Sequence, residues 1–283
     1  MKLKELNLRD IPESLRQLKP KSESKLARPD FLIKSVTNLT YEALKREIPD
    51  IEAVVVDGDR TVFGQHATEF DPKMIDTLRR EVGARGLKLI MQSNVYGEEA
   101  ENRIEWLHSL LLNEGGNANE PLFTEVVTPD TLLEDRRVHL SAMREPGCDL
   151  DALRCLHEGG KNPSTAAYIW AFLMGREPHI NAKPNPAMLE HILEEYSLEP
   201  EQVLVIGDQR RADIEVAKRL GAYSCLVSPY GEGDHLLVKW FVRPPEARQN
   251  RRDWGGSFPD ELMRTETWAA HNGLKLAAES RAA

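Results

Sequence analysis

Five short apolar runs recur along the chain with helical patterns between them, and this alternation constrains the fold more than any other feature of the sequence. Ala53-Val54-Val55-Val56 is β-branched, too brief for a helix and polar at its end, so it reads as a buried parallel strand that hands over to Asp57. Asp71-Pro72 then caps a predicted helix whose Met74, Leu78 and Val82 recur every four positions, and Gly83 and Gly86 close it. Leu87-Lys88-Leu89-Ile90-Met91 returns as a strand with Ser93-Asn94 at its carboxyl end, and Ala100, Ile104, Leu107 and Leu111 mark the next helical stripe. Residues 122–127 read as a third strand. After Lys183-Pro184 a helix places Met188, Leu189, Ile192, Leu193 and Tyr196 on one side, and the strand 202–206 leads into Gly207-Asp208. A helix from Asp213 to Leu220 stops at Gly221, and Tyr223-Ser224-Cys225-Leu226-Val227 is the last strand.

Strand alternating with helix predicts a doubly wound, parallel, Rossmann-like α/β sheet, in which ligands collect at the carboxyl ends of the strands. The expected organisation is an arm over 1–50 packing on the core, a first core segment over 51–127, and a second over 181–252. Between the core segments, residues 128–180 break the rhythm and are expected to form a small inserted cap. Residues 253–283 are weakly patterned and are expected to be a partly disordered tail.

A chain of 283 residues can bury one sizeable core with room for an insertion. Its hydrophobic content of 41% and charged content of 29% are those of a soluble globular enzyme, and no apolar run reaches the ~18 residues of a membrane span. The start is charged and lacks an apolar h-region, so no secretory signal is expected. Cys148, Cys155 and Cys225 make no CxxC pair, and a reducing cytoplasm is the simplest setting. The net charge of −9 argues against a nucleic-acid partner. Basic residues nevertheless gather in 1–30 and again in 239–252, where Lys239, Arg243, Arg248, Arg251 and Arg252 face only Glu246. These segments are either solvated faces or a weak, salt-sensitive contact with an anionic membrane.

The chemistry-bearing residues fall at the strand ends. Asp57 and Asp59 stand two apart just beyond the first strand, so one carboxylate can attack phosphorus and form an aspartyl phosphate. The other can protonate the leaving oxygen and later deprotonate water. Several carboxylates and a phosphate in one crevice require a cation, and Mg²⁺ fits oxygen ligands. Asp57, the backbone carbonyl of Asp59, and Asp208 are its expected ligands. Ser93 and the backbone at Asn94 and Gly58 are placed to donate to phosphoryl oxygens, and Lys183 adds positive charge there. Thr61 can brace the loop carrying the acids, and Asp213 either orients the metal site or caps its helix. His139, His157 and His179 lack metal-ligand spacing and read as surface or packing residues.

Asp57-Gly58-Asp59-Arg60-Thr61, Ser93, Lys183 and Gly207-Asp208 with Asp213 together resemble the motif set of the haloacid dehalogenase (HAD) superfamily. Arg28-Pro29-Asp30-Phe31 through Val36, Gly207 to Asp213, and Lys239-Trp240-Phe241 resemble more closely its YqeG-like branch, related to the mitochondrial phosphatidylglycerophosphate phosphatases. Two positions depart from the usual pattern: Gly58 replaces a hydrophobic residue between the acids, and Arg60 replaces a small residue or Asn before Thr61. The resemblance implies a Mg²⁺-dependent phosphatase acting on a phosphomonoester, with a phosphorylated small molecule or lipid as substrate. Alternatives are a phosphotransferase sharing the aspartyl-phosphate step, a lipid phosphatase peripheral to the membrane, and a phosphate-binding scaffold without turnover.

Overall fold

The computed structural model of the protein describes residues 27–64, 71–94, 122–129, 132, 183, 185–231 and 243–274. The helical stripe expected around 100–111, Trp240 and Phe241, and all of the expected cap except 128, 129 and 132 lie outside the described residues.

One mixed sheet organises them. Its strands are β1 (Phe31–Ile33), β2 (Ala53–Asp57), β3 (Lys88–Gln92), β4 (Glu125–Val127), β5 (Val203–Gly207), β6 (Tyr223–Val227) and β7 (Met263–Arg264). Their order across the sheet is β4-β3-β2-β5-β6-β1-β7, parallel throughout except that β7 runs antiparallel to β1 at the edge. The Rossmann-like α/β architecture anticipated from the alternation is therefore present. From β2 the chain steps outward through β3 to β4, then crosses back to β5 and steps the other way to β6. The carboxyl ends of β2 and β5 flank the point where the winding reverses, which is where such sheets open a crevice.

Both faces of the central strands are buried, which is why they read as unbroken apolar runs. Val54 and Val56 of β2 with Leu204 and Ile206 of β5 join one core; Ala53, Val55, Val203 and Val205 join the other. Each fully buried aliphatic side chain contributes about 1.5–3 kcal/mol, so a one-residue slip in β2 would exchange its two faces and misplace Asp57.

The described helices cover the two faces. They are α1 (Tyr41–Glu47), α2 (Pro72–Glu81), α3 (Ala187–Glu195), α4 (Glu215–Leu220), α5 (Arg243–Trp254) and α6 (Thr265–His271). Asp71 caps α2 by accepting from the Lys73 N–H, with Pro72 at the first helical position, and Met74 and Leu78 are buried beneath it. Gly86 takes a left-handed φ of 78° where the chain turns toward β3.

Two parts of the sequence did more than their patterns indicated. Pro244-Pro245 would break the interior of a helix, but they follow Arg243 in the first turn of α5, where amide hydrogens have no intrahelical acceptor. The segment from Asp253, read as a weakly patterned tail, supplies Trp254, β7 and α6, and packs Trp254 and Ala269 against Leu32, Ile214 and Leu226. Arg210 explains why no apolar stripe announced α5. It is fully buried, donates to the Ala27 carbonyl at 2.8 and 3.0 Å, pairs with Asp253 at 2.7 Å, and bonds Asn250 at 3.1 Å. Its guanidinium also lies 5.2 Å from the centre of the Trp254 ring. Burial lowers the Arg210 pKa and Asp253 opposes that, so α5 is recruited by charge as much as by apolar area. No described helix is long and apolar enough to cross a membrane.

Glu81 at the end of α2 supports a test of this packing. Its carboxylate accepts from the Tyr41 N–H in the first turn of α1 at 3.0 Å and from Arg80 Nε at 2.6 Å. The Tyr41 bond, followed by that of Arg80, holds its pKa below the ordinary glutamate value of 4.5. Because the folded value is the lower one, the stabilisation is complete above pH 4.5 and is lost as pH falls below it. Glu81→Ala is expected to lose about 1 kcal/mol at neutral pH, a deficit that shrinks in acid, as read by urea unfolding at stepped pH.

Candidate active site

Strand register assembles the site. Asp57 at the end of β2 lies opposite Gln92 of β3, so Ser93 follows immediately beside it, and the Ser93 N–H is anchored on the Val127 carbonyl at 3.0 Å. Val56 lies opposite Ile206 of β5, so Gly207 and Asp208 emerge on the other side of Asp57. Ser93 and Asp208 are both buried, whereas Asp59 is partly exposed.

Lys183 joins what the strands bring close. Its ammonium hydrogen-bonds Asp57 Oδ1 and, at 2.7 Å, Asp213 Oδ1, with all three side chains almost fully buried. The other Asp213 oxygen accepts from the Gln209 N–H at 3.1 Å, and Thr61 Oγ1 lies 3.4 Å from the other Asp57 oxygen. Burial alone would lower the Lys183 pKa, but Asp213 and Asp57 outweigh it and hold the ammonium charged. Burial raises Asp57 well above the ordinary carboxylate value, with Asp213 and Asp208 adding to it and Lys183 opposing.

The position of Lys183 is itself held. Asn94 Oδ1 accepts from the Lys183 N–H at 2.7 Å, and Asn94 Nδ2 donates to the Lys183 carbonyl at 3.1 Å. Asn94, read in the sequence as a phosphate contact, thus acts on the site through Lys183 with both arms of its side-chain amide.

Asp213 reaches inward because of the turn that carries it. Arg210–Ile214 forms a π-helical turn before α4, with the Asp213 and Ile214 amides both donating to the Gln209 carbonyl. The wide turn accommodates four residues between Asp208 and Asp213 while still aiming the second acid back at the strand end. Gly207 makes room for it: a Cβ there would lie 2.2 Å from the Asp213 carboxyl carbon.

The loop after β2 is equally tight. The Gly58 carbonyl accepts from the amides of Thr61, Val62 and Phe63 at 3.0–3.3 Å. A Cβ on Gly58 would come within 2.6 Å of the Phe63 ring, which is fully buried. The aromatic ring therefore fills the volume that a hydrophobic side chain between the two acids would occupy. Phe63 was not legible as a site residue, since its role depends on a glycine five positions earlier. Arg60, the other departure from the usual motif, turns inward, with Nε 3.9 Å from Asp208 Oδ2.

One oxygen each from Asp57, Asp208 and Asp213 fall within 4.8 Å of one another, which is a cluster able to hold a metal ion. Hard oxygen donors suit Mg²⁺ better than a soft metal. Both Asp213 oxygens accept protein hydrogen bonds of 2.7 and 3.1 Å, whereas the second Asp57 oxygen meets only the long 3.4 Å contact of Thr61, so Asp57, with Asp208 beside it, is better placed to ligate than Asp213, which holds Lys183 behind them.

Gly207→Ala provides a check on this geometry. The added methyl must displace a buried carboxylate that holds Lys183, and a loss of about 1–3 kcal/mol is expected from overpacking, measured by urea unfolding.

Comparison with known proteins adds the following. Residues 180–239 match the HAD-hydrolase-like family model. A haloacid dehalogenase-like hydrolase domain-containing protein of Arabidopsis thaliana is 38% identical over 65 residues, 22% of this chain and 25% of that protein. A phosphoglycolate phosphatase of Vibrio cholerae is 36% identical over 71 residues, 25% of this chain and 31% of that protein. The chain thus spans about a quarter to a third of the length of the curated relatives it matches. Among solved structures, the 4-nitrophenylphosphatase of Thermotoga maritima overlays with a TM-score of 0.43 at 17% identity, covering 79% of this chain and 98% of that one.

Proposed function

We propose that this chain is a HAD-like hydrolase, and within that superfamily a Mg²⁺-dependent phosphatase which hydrolyses a phosphomonoester through an aspartyl phosphate. The observation that carries the reading is the buried Lys183 ammonium shared by Asp57 and Asp213, with Asp208 beside them, at the point where the sheet reverses its winding. The name of the Vibrio cholerae relative supports the same reaction class.

Asp57 attacks the phosphorus in line. A bond forms between its carboxylate oxygen and phosphorus as the bond to the ester oxygen breaks, and Asp59 gives its proton to the departing alkoxide. Water then attacks the same phosphorus while Asp59 takes its proton, releasing inorganic phosphate and restoring the Asp57 carboxylate. Lys183 keeps Asp57 oriented and offers its charge to the phosphoryl oxygens, where charge spreads in the transition state. Ser93 and the Gly58 and Asn94 amides donate to those oxygens, and Thr61 braces Asp57. Asp57, Asp208 and the Asp59 carbonyl would hold Mg²⁺, which when bound neutralises charge between nucleophile and phosphate.

The substrate we infer is a phosphorylated small molecule in the cytoplasm. The YqeG-like resemblance, with the exposed Arg248, Arg251 and Arg252 of α5, supports a second reading, a phosphatidylglycerophosphate-type lipid met at an anionic surface. One panel of soluble phosphomonoesters and phosphatidylglycerophosphate in mixed micelles, run with Mg²⁺ and with chelator, separates the two. Asp57→Asn is expected to lower turnover on the best substrate by at least about 1,000-fold without unfolding the protein. Asp59→Asn is expected to lose about 100-fold or more on alkyl esters and distinctly less on aryl esters, whose leaving oxygen needs little protonation. Substantial turnover by Asp57→Asn would overturn the assignment.

A further inference from the structure

Arg60 is a charged side chain inside the site for which the hydrolytic steps have no use. Its φ of 64° lies in the left-handed region, where a residue with a Cβ is disfavoured by roughly 1 kcal/mol and where glycine or asparagine is the easier choice. The backbone is clamped there from two sides. The Arg60 N–H donates to the Phe63 carbonyl at 2.6 Å, and its own carbonyl accepts from the Tyr230 N–H, beyond β6, at 2.6 Å.

The clamp fixes where the side chain starts, and the side chain is only 11% exposed. Its Nε stands 3.9 Å from Asp208 Oδ2, and the Asp208 side chain is wholly buried. Lys183 hydrogen-bonds the other two acids, Asp57 and Asp213. The charges are thus divided: the lysine serves two carboxylates and the arginine stands against the third, which is one of the two acids best placed to ligate a metal.

Resting on the phosphatase reading above, we propose that Arg60 is a positioning residue, a built-in counter-ion that competes with the divalent cation for Asp208 and so sets the metal affinity of the site. A guanidinium stays charged at every working pH, so the competition is always present. At so short a range in a buried site, the repulsion between it and a divalent ion on the same carboxylate is screened little by salt. The metal therefore binds only as Arg60 is drawn off Asp208, and the affinity of the free acids is reduced by that exchange. The backbone strain at position 60 is consistent with a residue retained for its charge rather than for its conformation.

The test is calorimetric titration of Mg²⁺ into the full-length chain, repeated with Mn²⁺ by electron paramagnetic resonance, for the wild type, Arg60→Gln, Arg60→Lys and Arg60→Asn. Gln reaches about as far as the arginine Nε and keeps the left-handed strain without the charge, Lys keeps the charge, and Asn relieves the strain as a safeguard against poor folding. Arg60→Gln and Arg60→Asn are expected to bind Mg²⁺ on the order of tenfold more tightly, and Arg60→Lys to return to the wild-type affinity. A merely structural role for Arg60 would lower the melting temperature without tightening metal binding. Unchanged or weaker Mg²⁺ binding in both uncharged variants, with the wild type binding normally, would overturn the proposal. If the wild type bound neither ion at millimolar concentration, the phosphatase reading itself would fall.

Discussion

The ammonium of Lys183, shared between Asp57 and Asp213 out of contact with solvent, is the interaction on which the rest of the site depends. Three buried charges in so small a volume are tolerable only because each has a partner in hydrogen-bonding geometry, and removing the ammonium would leave two uncompensated carboxylates at a cost of about 3–5 kcal/mol. The triad also ties distant parts of the chain together. It joins the end of β2, the approach to α3, and the π-helical turn after β5, so the sheet and the site are stabilised by the same contacts. Asn94 extends the tie to the end of β3 through the Lys183 backbone.

The surrounding architecture serves that arrangement through close approach. Glycine at 207 lets a carboxylate lie against a strand end, and glycine at 58 lets an aromatic ring lie against the loop. A wide helical turn aims Asp213 inward at the cost of a regular helix start. Arg60 accepts an unfavourable backbone conformation to put a second cation near Asp208. Strain and buried charge gather at one end of the sheet, while β2 and β5 beneath it are apolar on both faces and supply the rigidity to hold them.

Much of this was legible in the sequence because parallel strands buried on both faces must be apolar throughout, and the residues that follow them must face the crevice. β2, β3, β5 and β6, the Asp71-Pro72 cap and the gathering of Asp57, Ser93 and Asp208 all follow from that rule. β1 and β7 did not, since three and two residues are too few to show a period. Nor did α5, whose inward face is held by the charge of Arg210 rather than by an apolar stripe. Within the site, Lys183 could be named as a cation, but its bonds to Asp57 and Asp213 depend on tertiary placement across 126 and 30 residues. The two hydrogen bonds between the Asn94 amide and the Lys183 backbone and the fit of Phe63 over Gly58 are likewise contacts between elements, and no local pattern encodes them.

The claim that this triad is a phosphoryl-transfer centre is tested most directly by trapping the covalent intermediate. The full-length chain is mixed with a phosphomonoester that it turns over, quenched with borohydride, which reduces an acyl phosphate to the alcohol, and digested for peptide mass spectrometry. The account predicts that residue 57, and no other carboxylate, is converted to homoserine, and only when substrate is present. Turnover with Asp57 unmodified, or with the modification on Asp59, Asp208 or Asp213 instead, would contradict it.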